Sequence, residues 1–121
     1  MVDFDGCPCS GKSLAKLIRP LILAALSRRA MHGYELKREM AEAVFSGGGV
    51  PDLSGIYRCL NDMEKLGLVA STWSADHAGP ARRRYSLTEG GTACLAQWKA
   101  SLADFRHQLD ETIAYLNTPA P

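Results

Sequence analysis

The chain has 121 residues, 46% of them apolar, and a formal charge of +1; that length supports one hydrophobic core and not two. No apolar run approaches the ~20 residues that cross a bilayer, and the start MVDFDGCPCSGK has neither the basic region nor the apolar core of a secretion signal. The small net charge hides an asymmetry, since residues 1–87 hold 12 Lys and Arg against 9 Asp and Glu while residues 88–121 hold 2 against 4. Cationic character therefore sits in the front part of the chain, where an anionic partner would bind. A cytoplasmic location is expected, with Cys7, Cys9, Cys59 and Cys94 as thiols and not as a disulfide framework.

Residues 1–12 read as a flexible polar arm carrying Cys7-Pro8-Cys9. Leu14, Leu17, Ile18, Leu21, Ile22, Ala25 and Leu26 then recur at helical spacing and predict a helix with one buried stripe. Pro20 falls inside that pattern, so either the helix kinks at Arg19 or a short leading helix ends there; the second reading, with Pro20 in the first turn of the main helix, is preferred. Leu36, Met40, Ala43 and Val44 mark a second helix from near Gly33 to Phe45, stopped by the breaker cluster Ser46-Gly47-Gly48-Gly49-Val50-Pro51.

A third helix, Asp52 to Leu66, has signals at both ends: Asp52 can cap the free amides of the first turn, and Gly67 can take the left-handed conformation after the last. Its spacing turns Ile56, Cys59, Leu60 and Met63 inward and leaves Ser54, Arg58, Asn61, Asp62 and Lys65 outside. Leu68–Ser74 and Arg82–Leu87 read as two strands of a hairpin with a loose tip around Gly79-Pro80. From Thr88 a last helix places Gly91, Leu95, Trp98, Leu102, Phe105, Leu109, Thr112 and Leu116 in steps of four and three. A 3.5-residue repeat held this long predicts a seam against another helix, most naturally a second copy of the chain.

The expected fold is mainly α with a small β-hairpin (α+β). It is a winged helix-turn-helix DNA-binding region over 13–87, followed by a long C-terminal dimerisation helix and tail over 88–121. A helix able to enter a major groove lies beside a cationic hairpin able to follow phosphates or a minor groove, so double-stranded DNA is the expected partner. Candidate contacts are Ser54, Tyr57, Arg58, Asn61 and Lys65 on the helix and Arg82, Arg83 and Arg84 on the wing. Tyr57 has two readings, a ring packed under the hairpin or a phosphate hydrogen bond. Leu95, Trp98, Leu102, Phe105, Leu109 and Leu116 are the expected dimer seam, and Trp98 is also a candidate platform for a small-molecule effector. His32 and Tyr34 are expected to serve the turn and its packing, and Cys59 to act as a small apolar residue.

The segments HGYELKREM, PDLSGIYRCLNDMEKLGLV and GPARRRYSLTEGG together resemble the PadR family of bacterial transcriptional regulators, over about Leu17 to Leu116. The resemblance implies a winged-helix dimer that represses transcription and releases DNA when an effector or stress signal binds. Pairing of two copies through the last helix would make the operator an inverted repeat, and a small molecule, a metal or a redox change is the expected signal. The chain's single short tail helix resembles the compact members of the family. Two features depart from the pattern: the Cys7-Pro8-Cys9 arm is foreign to it, and Leu102 stands where some multidrug-responsive relatives carry a drug-stacking tryptophan.

No glycine-rich phosphate loop, ligand-spaced histidine and carboxylate pair, or nucleophile motif occurs, so neither an enzyme nor a resident cofactor is expected. Cys7 and Cys9 lie closer in sequence than the usual zinc-ligand pairs, and reaching four thiolates would need the arms of two copies to meet; the plain alternative is a thiol-bearing arm. A competing reading of the whole chain is a winged helix used to bind a protein partner without specific DNA recognition.

Overall fold

Pro20 sets how the first helix begins. In the computed structural model, which describes residues 17–43, 52–74 and 82–121, α1 spans Ile18–Arg28 and Pro20 is its third residue. The first intrahelical bond runs from the Leu21 N–H to the Leu17 carbonyl, so the proline occupies a position whose missing N–H would have had no partner. Ile22, Leu23, Ala25 and Leu26 form the buried stripe.

Met31 and His32 form a short strand, β1, and α2 (Gly33–Ala43) follows at once. Its start is held by one arm of a capping box: the Glu35 carboxylate accepts from the His32 N–H at 3.0 Å and from Arg29 at 3.0 Å. Burial alone would raise the Glu35 pKa, but these two donors outweigh it and hold the carboxyl below its ordinary value.

Both ends of α3 (Leu53–Lys65) match the sequence signals. Asp52 accepts from the Gly55 N–H at 2.7 Å. At the other end Gly67 has φ +78°, its N–H bonds to the Glu64 carbonyl, and the Leu68 N–H bonds to that of Met63, the paired bonds of a Schellman turn. Ile56, Cys59, Leu60 and Met63 are buried in one cluster with Ile22, Leu23, Leu26, Leu36 and Met40.

The turn feeds β2 (Val69–Ser74), which pairs antiparallel with β3 (Arg82–Leu87). The expected two-stranded ribbon is in fact a three-stranded sheet of order β1-β3-β2, because Met31 and His32 pair with Tyr85 and Arg84. His32 secures that edge, its Nδ1 lying 3.1 Å from the Arg83 carbonyl oxygen. A carbonyl can only accept, so Nδ1 carries the proton.

Helix α4 (Glu89–Leu116) is capped by Thr88, whose hydroxyl accepts from the Gly91 N–H and donates to the Gly67 carbonyl at 2.6 Å. Here the expected seam is corrected at its N-terminal end. Leu95 lies in the chain's own core, and Trp98 packs against that core half-buried. The helix leaves the body only after Leu102, with Phe105 and Leu109 each 44% exposed and Leu116 75% exposed. Cys7, Cys9 and any helix ahead of α1 lie outside the described residues.

Candidate nucleic-acid interface

One face of α3 carries Ser54, Arg58, Asn61 and Lys65, all exposed, which is what an amphipathic helix with its apolar stripe against α1 and α2 must present. Tyr57 lies at the edge of this face, 37% exposed. Its ring packs so closely on α2 that a Cβ at Gly33 would fall 2.5 Å from it, and it is tilted against Tyr85 at 6.5 Å between centroids. A larger residue at position 33 would push the Tyr57 ring aside.

The wing places its arginines unequally. Arg82 and Arg84 are exposed, and the Arg82 guanidinium lies 4.8 Å from the centre of the Tyr34 ring, which also has Arg38 at 5.9 Å and is stacked on His32. Arg83 leaves the strand on the opposite side. There it donates to Glu64 at 3.0 Å and to Ser71 at 2.7 Å, while the Ser71 hydroxyl donates to Glu64 at 2.7 Å. The guanidinium of Arg83, grouped by the sequence with its two neighbours, thus ties the wing to α3.

An open channel separates α3 from the wing, lined by Tyr57, Asn61, Trp73, Arg82, Arg83 and Tyr85. Trp73 is 71% exposed, and Arg83 lies 5.9 Å from its ring. Sequence reasoning used Trp73 and Glu64 only as elements of a strand and a helix. The signal that brings them together is the register Trp73↔Arg83 and Ser71↔Tyr85, which emerges only once the strands are paired. Tyr85 is buried, and burial pushes its phenol pKa up, so it is a neutral hydroxyl at the channel floor. Burial likewise raises the Cys59 thiol despite Arg19 nearby, in keeping with a packing role. Among the described residues no group of His, Cys, Asp or Glu is placed to hold a metal ion.

A helix-turn-helix with an exposed polar third helix and a three-stranded wing is a winged-helix DNA-binding domain. Residues 22–97 match the Transcriptional regulator PadR-like family, and the chain belongs to that family. A Mycobacterium tuberculosis protein named "Probable transcriptional regulator Rv1176c" is 33% identical over 79 residues, which are 65% of this chain and 41% of that protein; the chain spans less than half of that relative's length. The crystal structure of TA0346 from Thermoplasma acidophilum is 33% identical and superposes with a TM-score of 0.69 over 81% of this chain and 91% of that one. The structure of Bacillus subtilis PadR in complex with operator DNA shares the fold at 20% identity and a TM-score of 0.62, over 69% of this chain and 46% of that one. No helix among the described residues is long and apolar enough to cross a membrane.

Proposed function

We propose that this transcriptional regulator is a homodimeric repressor that binds an inverted-repeat operator and leaves it when a small-molecule, metal or redox signal arrives. The observation that carries the reading is the exposed row Ser54, Arg58, Asn61 and Lys65 beside Arg82 and Arg84. Ser54, Arg58 and Asn61, in the N-terminal half of α3, read base edges from the major groove. Lys65, Arg82, Arg84 and the Tyr57 hydroxyl hold phosphates, which adds affinity that is indifferent to sequence. The fold shared with Bacillus subtilis PadR, solved on its operator, supports this docking.

The dimer reading rests on α4, where Phe105, Leu109, Ile113 and Leu116 are exposed on a helix that has left its own core. An apolar row of that length on a free monomer would invite association. In this division residues 13–87 read DNA and the outer part of 88–121 pairs the copies. Trp98, at the boundary, is the candidate effector platform, and Cys7 and Cys9 are the candidate metal or redox sensors.

The test is fluorescence anisotropy with a labelled duplex from the chain's own promoter region, against a scrambled duplex of equal length, with and without candidate effectors, metals and oxidants. Preferential binding of the promoter duplex, weakened by one of these additions, is expected. Equal binding of both duplexes would overturn specific recognition, and no binding at all would favour a module that docks a protein partner.

A further inference from the structure

The channel between α3 and the wing has a composition of its own. It is lined by the polar groups of Asn61, Tyr57, Arg82 and Arg83 and by the exposed ring of Trp73, with Tyr85 buried beneath them. A DNA backbone offers the same two kinds of surface, a charged phosphate and the apolar face of a deoxyribose. A helix in a major groove with its wing on the neighbouring minor groove must also straddle the ridge between the two grooves, and that ridge is one backbone.

We propose that this channel seats one sugar–phosphate strand of duplex DNA and that Trp73 packs on a deoxyribose within it; the inference rests on the DNA-binding reading given above. A single exposed aromatic requires no explanation by itself. Trp73, however, lies 71% exposed beside the reading helix, and one side of its ring is backed by Arg83, which Glu64 and Ser71 hold in place. Among the described residues no ring or guanidinium stacks on its other side. With Arg83 neutralised by Glu64, the cations that draw a polyanion to the channel are Arg82 and Arg84 on the wing and Arg58 and Lys65 on α3.

The ring carries no charge, so its contact adds affinity without releasing counterions. Trp73→Ala is expected to weaken duplex binding about tenfold, within the range for aromatic contacts to nucleic acid, and to leave the salt dependence of binding unchanged. Trp73→Phe keeps an aromatic face and is expected to retain most of the affinity. The chain has two tryptophans, so a fall and blue shift in wild-type emission on saturation with duplex, largely lost in Trp73→Phe, reports the same contact directly.

Unchanged wild-type emission at saturation, or a Trp73→Ala protein that binds with wild-type affinity, would overturn the seat while leaving the regulator reading intact. Emission that changes with protein concentration in the absence of DNA in the wild type but not in Trp73→Phe would assign the ring to a second copy of the chain and overturn it as well. Failure of the wild type to bind any duplex in the anisotropy assay would end both readings together.

Discussion

Successive side chains leave a strand on opposite sides, so Arg83 meets Glu64 while Arg82 and Arg84 stay open to an anion. A run of three arginines in a sequence shows charge density; it does not show that the middle one is already paired through its register with Trp73 and the reach of Glu64 from α3. The pair is partly exposed, at 39% and 30% for the two side chains, so it contributes about 0–1 kcal/mol to stability and its larger effect is on the charge of the surface proposed to meet DNA. Glu64→Gln keeps one oxygen to accept from Arg83, and its amide N–H can donate to the Ser71 hydroxyl, but it leaves the cation unneutralised. Tighter non-specific binding and a salt slope steeper by about one unit are expected, measured by anisotropy across a salt series; an unchanged slope would place the pair off the DNA face. Glu35 gives a second prediction at this scale. Its carboxyl is held below the ordinary value of 4.5, so its contribution to stability is complete above that value and is lost as the pH falls through the lower, folded-state value. Glu35→Gln is expected to flatten this acid-side decline in thermal melting, and an identical decline would show that the His32 and Arg29 contacts carry no net stabilisation.

Elements were legible in proportion to their length and their end signals. Asp52 and Gly67 mark both ends of α3, and the turn they predict is the one observed. The two residues of β1 are too few to show a period, and nothing local distinguishes Met31 and His32 from a turn; only their long-range pairing with Tyr85 and Arg84 makes them a strand. The 3.5-residue repeat of α4 marks an apolar stripe but does not say what covers it, and the chain itself covers Gly91 and Leu95 and part of Trp98. Gly91 shows how closely: a Cβ there would collide with the Leu68 carbonyl oxygen, which is backbone, and with the Leu87 side chain. Gly91→Ala is expected to destabilise the fold by about 1–3 kcal/mol through overpacking, read as a lowered denaturation midpoint; a midpoint equal to that of the wild type would show that α4 docks more loosely. On α3, Arg58→Ala and Asn61→Ala should each change base preference at particular operator positions by about 1–3 kcal/mol. Selection from randomised DNA returning an unaltered motif would reduce both to backbone contacts.

For the whole molecule, the proposed dimer makes function depend on the part of α4 that the single chain leaves uncovered. Phe105 is 44% exposed, so Phe105→Glu leaves the core intact, yet in a paired molecule it buries two like charges at a cost of several kcal/mol per subunit. Monomeric sedimentation and loss of operator binding, with unchanged helix content, are expected for the variant. A wild type that sediments as a monomer at micromolar concentration would remove the dimer from the mechanism.

The Thr88 hydroxyl touches the Gly67 carbonyl, and Gly91 lies against that of Leu68, so α4 is fastened at its root to the turn in which α3 ends. The 28 residues of α4 make an arm roughly 40 Å long at about 1.5 Å per residue. Since the free part begins only after Leu102, about 20 Å of it projects, and a tilt of about 5° there moves the tip by roughly 2 Å. In the proposed dimer, two such arms joined at their tips would work as a caliper, so that whatever alters their opening angle resets the gap between the two copies of α3.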